Sequence, residues 1–306
     1  MGIEKYRGII PAFYACYDAE GNISPEGVQQ FAEHLIRKGV KGLYVGGSSG
    51  ECIYLTKDER KAVLENVMKV AKGRVTVIAH VACNNTADSM ELASHAEEQG
   101  VDAIAAIPPI YFHLPEHAIA QYWNDISSAA PNTDFFIYNI PQLAGVALTV
   151  PLLKEMLKNP RVIGVKNSSP ASQDIWQFKT VAGDGHIVFN GPDKQLLSGL
   201  ACGADGGIGG TYAVMPELYI KIMDLAHKGD FSKAAELQSN VNAIVKILGS
   251  GKGNMYAIEK EILKRMYGLN LGGVRAPLPN LFDSDYELVE KAQMMIEQNL
   301  EKIKSM

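Results

Sequence analysis

Residues 162–170, Val-Ile-Gly-Val-Lys-Asn-Ser-Ser-Pro, set a short apolar run against a lysine and an immediate turn. An apolar run with no polar alternation predicts a strand buried on both faces, as parallel sheets require. Working outward, similar runs begin near Gly8, Gly42, Arg74, Asp102, Asp134, His186 and Gly206, and each leads toward a helical pattern. Ser24 and Pro25 open one helix, Gly39 can close it, and Val28, Phe31 and Leu35 share a face. Thr56 and Glu59 form a capping box ahead of the stripe Val63, Val67 and Ala71, while Thr86, Pro115 and Pro216 mark further starts. This rhythm predicts an α/β chain whose eight strand–helix units close into a (β/α)8 TIM barrel. An open doubly wound sheet is the alternative. Its glycine fingerprint is missing after the first strand, where Tyr17-Asp18-Ala19-Glu20-Gly21 stands. From Phe231 onward the pattern is helical only. The expectation is one barrel domain over residues 1–306, with about 231–306 as a C-terminal helical extension.

A net charge of −5 argues against a nucleic-acid surface, which is normally basic. No apolar run approaches the ~20 residues that span a bilayer, and the start, MGIEKYRGIIP, lacks a signal peptide's apolar core. Cys16, Cys52, Cys83 and Cys202 are scattered with no CxxC pair, which suits free thiols in a reducing cytoplasm. His113 and His117 have helical ligand spacing, but Leu114-Pro115 interrupts it, so no metal site is expected.

In this fold the chemistry sits at the C-terminal ends of the strands. The second run ends in Gly46-Gly47-Ser48-Ser49-Gly50-Glu51, either an anion cradle fit for a carboxylate or a turn whose serine caps the next helix. Tyr138, at the end of the fifth, can relay protons or simply pack. Lys166 ends the sixth. At a solvated strand end it is only a charge, whereas burial would lower its pKa and leave an amine able to attack a carbonyl. Ser168 and Ser169 follow, and Ser169 can also cap a helix opened by Pro170. After the seventh run come Asn190, Gly191 and Asp193, with Asp193 a ligand for substrate hydroxyls or a helix N-cap. The eighth, Gly206 to Gly210, offers Gly207, Ile208 and Gly210 as a backbone wall for a small ligand.

GGSSGE at 46–51, YNIP at 138–141 and GVK at 164–166 resemble the class I pyruvate aldolase family of dihydrodipicolinate synthases and N-acetylneuraminate lyases, over essentially the whole chain. The resemblance implies that Lys166 forms a Schiff base with pyruvate, so no separate cofactor or metal is needed. It implies that Tyr138 relays protons and that Ser48 and Ser49 hold the pyruvate carboxylate. Ser168, Gly191, Asp193, Lys194, Gly207, Ile208 and Gly210 would contact the rest of the substrate. Tyr111 matches a tyrosine that reaches the neighbouring subunit's site in a homotetramer. Residues 42–48, 78–81 and 204–209 look most like the lyase branch, which cleaves sialic acid to pyruvate and N-acetylmannosamine. Leu143 stands where the synthase branch has an arginine that clamps a second carboxylate. A synthase-like enzyme, or an aldolase for another 2-keto-3-deoxy sugar acid, is the alternative. Three positions depart from the lyase pattern: Lys194 for a glutamate, Gly210 for a serine and Ser168 for a threonine. Lys194 either alters the sugar-binding end or points to solvent.

Overall fold

A computed structural model describes residues 2–306. Its strands are β1 (Gly8–Pro11), β2 (Gly42–Val45), β3 (Thr76–His80), β4 (Ala103–Ala106), β5 (Asp134–Asn139), β6 (Val162–Asn167), β7 (Ile187–Asn190) and β8 (Gly206–Gly209). They form one parallel sheet in the order β1-β8-β7-β6-β5-β4-β3-β2. A parallel bridge between Ala12 and Tyr44 joins the two ends, and Phe13 N donates to Tyr44 O at 2.9 Å. The chain is a (β/α)8 barrel.

Although most strand residues are buried, period two still sorts them. Ile10, Tyr44, Ile78, Ala105, Phe136, Tyr138, Phe189 and Ile208 fill the barrel. Leu43, Val77, Ile104, Ile137, Val165 and Val188 face the surrounding helices. The same parity turns Lys166 inward. In the register between β5 and β6, Tyr138 lies opposite Lys166 and Phe136 opposite Gly164. A side chain at Gly164 would put its Cβ 2.1 Å from Ile187 O and 2.8 Å from the Phe136 ring. Glycine there lets Phe136 fill the barrel beneath the lysine.

The helices between strands are α1 (Pro25–Arg37), α2 (Lys57–Ala71), α3 (Thr86–Gln99), α4 (Glu116–Ser128), α5 (Pro141–Ala144), α6 (Val150–Met156), α7 (Gln173–Ala182), α8 (Leu196–Ala201) and α9 (Pro216–His227). Ser24 caps α1 by accepting from Gly27 N, and the Thr56–Glu59 capping box opens α2. Val28, Phe31 and Leu35 are fully buried, each contributing about 1.5–3 kcal/mol of transfer free energy.

Neither Ser169 nor Asp193 caps the helix that follows it. Helix α7 begins at Gln173, and Ser169 spends its hydroxyl on Asp174 Oδ2 at 2.6 Å. Asp193 does not cap α8, whose N-cap is Gln195; its carboxylate instead accepts from Thr211 N, just past the end of the neighbouring strand β8. Similarly, the serines of residues 46–51 form their own 3-10 turn, Ser48–Gly50, and leave the capping of α2 to Thr56.

The tail supplies α10 (Phe231–Leu248), α11 (Met255–Tyr267) and α12 (Tyr286–Ile303). Helix α11 is fastened to the loop after β2 by a buried ion pair, Lys260 Nζ to Glu51 Oε1 at 3.1 Å. Glu51 Oε2 also accepts from Tyr17 OH at 3.1 Å and Arg275 N at 2.7 Å. These partners hold Glu51 in the left-handed region, at φ 55°. The same anchoring brings Tyr256 and Glu259 to the barrel mouth. Among the described residues no helix is long and apolar enough to cross a membrane, and all four cysteines are free.

Candidate active site

Lys166 is 4% exposed and has no ion pair or hydrogen bond among the described residues. Its Nζ lies 3.9 Å from the Tyr138 ring centre and 4.0 Å from that of Tyr44. Burial pulls its pKa down from 10.5 to about 7, and the Asp193 charge offsets only part of that shift. A solvated lysine is almost wholly ammonium at neutral pH. This one presents a large fraction of free amine, the nucleophilic form.

Tyr138 stands edge-on to Tyr44, with ring centres 5.8 Å apart, and to His80 at 5.9 Å. Burial raises its pKa to about 12, while the Ser48 and Ser168 hydroxyls beside it pull the other way. Tyr138 is therefore a neutral phenol flanked by two hydroxyls, an arrangement that passes protons without storing charge. His80 is buried, with its pKa lowered to about 3 by desolvation first and the Arg60 charge second. As a neutral ring it donates from Nδ1 to Gly46 O at 2.9 Å and accepts Ile107 N at Nε2, at 3.4 Å. It thereby ties the loop after β2 to the end of β4.

Ser49 is buried and donates to Tyr256 OH at 3.1 Å. Ser48 is half-buried beside Tyr138, so the two serines occupy the mouth at different depths. Ser168 is buried against Gly191, where a Cβ would lie 1.9 Å from the Ser168 hydroxyl. Asp193 is half-buried. Its Oδ2 accepts Thr211 N at 3.4 Å, and its Oδ1 is buried without a partner. Burial pushes its pKa up to about 6, against the pull of the Thr211 amide and of Lys166. Gly209 must lack a side chain, since a Cβ there would sit 1.8 Å from Asp193 Oδ1. Ile208 faces the barrel interior, whereas the Cβ position of Gly207 is turned the other way, 2.4 Å from the Tyr212 hydroxyl and 3.0 Å from Leu196, so only its backbone borders the inner wall. A Cβ on Gly210 would meet Ser49 Oγ at 3.0 Å and the Tyr256 ring at 3.4 Å.

Most of the expected residues therefore converge on one mouth, and two do not. Lys194 is exposed and points to solvent. Tyr111 lies on the loop between β4 and α4 at φ 83°, 86% exposed and edge-on only to Phe112. A cavity of about 840 Å³ opens beside Ser48 and Tyr256, bounded also by Cys52, Asn84 and Leu143. Among the described residues no three or more His, Cys, Asp or Glu converge as a metal site.

Tyr44, His80 and Tyr256 were not singled out from sequence, though each touches the lysine or its neighbours. Tyr44 had one available signal: counted by twos from the glycines of residues 46–51, it faces the barrel interior. The assembled site holds a lysine with a large free-amine fraction, a phenol between hydroxyls, a half-buried carboxyl group and an open mouth. That set is equipped for addition of an amine to a ketone and for proton transfer around the adduct.

Residues 5–296 match the model of the dihydrodipicolinate synthetase family. The chain is 65% identical over 294 residues to an N-acetylneuraminate lyase of Mediterraneibacter gnavus, covering 96% of this chain and 93% of that one. A solved structure described as Ruminococcus gnavus sialic acid aldolase, wild type, superposes with a TM-score of 0.97 at 64% identity, covering 97% of this chain and 99% of that one. Another, described as a catalytic lysine mutant of the same aldolase, gives 0.98 at 63% identity and covers 99% of each chain.

Proposed function

The chain belongs to the dihydrodipicolinate synthetase family, and on that premise we propose that it is a class I aldolase that reversibly cleaves N-acetylneuraminate to pyruvate and N-acetylmannosamine. The observation that carries this reading is Lys166, a buried amine with a pKa near 7 held between two tyrosine faces at the mouth. The lyase and aldolase names of the similar proteins support the choice of sugar acid, as does Leu143 at the mouth in place of a guanidinium.

Lys166 Nζ adds to the keto carbon of the open-chain substrate, and loss of water leaves a protonated imine. The Ser48 and Ser49 turn, with its backbone N–H groups, holds the adjacent carboxylate. The C3–C4 bond then breaks, and its electron pair moves into the imine to give an enamine. The C4 hydroxyl proton passes to the Tyr138 oxygen, while the Tyr138 proton moves on through Ser48 to the substrate carboxylate. The aldehyde sugar leaves, the enamine is protonated at C3, and hydrolysis returns pyruvate and the free amine. Asp193, Ser168, Gly191, Gly207, Ile208 and Gly210 bind the polyol end. The imine is the electron sink, so the reaction uses no cofactor or metal.

Barrel and tail act as one folding unit, joined by the buried Glu51–Lys260 pair. The protein works as a cytoplasmic homotetramer, a reading supported by free thiols and by the exposed, backbone-strained Tyr111, which reaches a second copy's site. Parallel assays at equal concentration test the substrate. Cleavage of N-acetylneuraminate should exceed that of other 2-keto-3-deoxy sugar acids at least about tenfold in kcat/KM, a difference of ~1.4 kcal/mol. Faster condensation of pyruvate with aspartate semialdehyde would move the chain to the synthase branch.

A further inference from the structure

Glu259, on α11, is fully buried, and neither of its carboxyl oxygens has a hydrogen-bond partner. The adjacent Lys260 is spent on Glu51 and on Gly273 O. The Tyr14 hydroxyl lies beside the Glu259 carboxyl group. Tyr14 has one proton, which it donates to Gly210 O at 2.7 Å. That carbonyl belongs to the same peptide unit whose N–H, on Thr211, donates to Asp193 Oδ2 at 3.4 Å. With its proton already given to Gly210, the Tyr14 oxygen can only accept, and an ionised Glu259 facing it would be acceptor against acceptor. A protonated Glu259 completes a chain of donors running from α11 to the mouth.

We propose that Glu259 carries a proton in the working enzyme and is a positioning residue, fixing the Asp193 carboxylate through Tyr14 and the Gly210–Thr211 peptide. This rests on Asp193 binding the polyol end of the substrate. Burial favours the neutral carboxyl and pushes its pKa up to about 8, against the pull of the Tyr14 hydroxyl; the nearby Asp193 charge acts with burial, and Lys260 opposes it. Tyr256 on α11 and Tyr219 on α9 complete the set of titratable groups around it, and both are held neutral by burial.

The test compares wild type with Glu259→Gln, Glu259→Leu and Tyr14→Phe. Two readouts are needed: steady-state cleavage of N-acetylneuraminate from pH 6 to 9, and borohydride trapping of the pyruvate imine. Glu259→Leu and Tyr14→Phe should raise KM for the sugar acid about tenfold, the loss of one buried hydrogen bond, and leave pyruvate trapping within about twofold. Their double variant should cost no more than either alone. Glu259→Gln, whose amide donates to Tyr14 without ionising, should keep the wild-type KM. It should also abolish the rise in KM expected of the wild type above about pH 8, where the carboxyl loses its proton. An unchanged KM in Tyr14→Phe overturns the proposal, as does Glu259→Gln behaving like Glu259→Leu, or a loss of trapping equal to the loss of cleavage. If Glu259→Leu does not fold, Tyr14→Phe and the Glu259→Gln pH profile decide alone. Absence of trapping in wild type would instead sink the aldolase reading itself.

Discussion

At the N-terminal end of the barrel, Asp205 is buried and fully partnered. Its carboxylate accepts from Val188 N at 2.8 Å, from Lys179 Nζ at 2.9 Å and from Arg7. At the C-terminal end, Lys166 is equally buried and has neither ion pair nor hydrogen bond among the described residues. Asp193 Oδ1 and both oxygens of Glu259 share that condition. A buried charge left unpaired costs several kcal/mol, and the usual escape is to neutralise. At the lower end the chain supplies partners, and the charges lock strands to helices. At the mouth it withholds them, and the same burial that destabilises the fold leaves an amine where a ketone can reach it. A cavity of about 670 Å³ at the lower end, lined by Lys5, Arg7, Lys41 and Asp102, shows that a hollow alone does not make this chemistry.

Lys166→Met is the strongest way to break the contrast. The folded pKa near 7 lies below the ordinary 10.5, so between those values the unfolded chain holds more protons and stability climbs with pH. Replacing the amine with methionine should remove that slope and stabilise the protein at pH 7 by on the order of a few kcal/mol, measured by urea denaturation. A variant less stable than wild type would mean that the lysine is satisfied after all. Next in size is Tyr138→Phe. It should lower kcat about 10²–10⁴-fold, as expected for a lost proton relay, with imine trapping intact. An equal loss of trapping would make Tyr138 a structural neighbour of the lysine.

At the other end, Asp205→Ala should destabilise by about 3 kcal/mol, since it strands Arg7 and Lys179. Its kcat at a permissive temperature should remain within about twofold of wild type. The smallest effect belongs to Lys5→Met. Its pair with Asp102 is partly solvated, so screening limits the cost to under about 1 kcal/mol, shrinking further at high salt.

The barrel was legible because its signals are local: apolar runs for strands, and Ser24 and Thr56 where helices begin. Lys166, Tyr138 and Ser48 were legible because strand ends in this fold converge. Local pattern alone leaves open whether Ser169 and Asp193 cap helices. Ser169 gives its hydroxyl to the Asp174 side chain, within the first turn of α7, and no local pattern encodes Thr211 N as the partner of Asp193. Tyr14, Tyr256 and Glu259 were hidden by distance, for the tail meets the mouth across more than two hundred residues. Glu259 did leave one trace. It falls one turn before Ile262 and Leu263, so it is a carboxyl group on the apolar face of its helix.

The most direct measurement of the central claim is the intact mass of wild type and Lys166→Ala after borohydride reduction in the presence of pyruvate. If Lys166 is the imine-forming amine, the wild type gains one reduced pyruvate adduct per chain, mapping to Lys166, and the variant gains none. An adduct on both proteins, or on neither, would contradict that assignment.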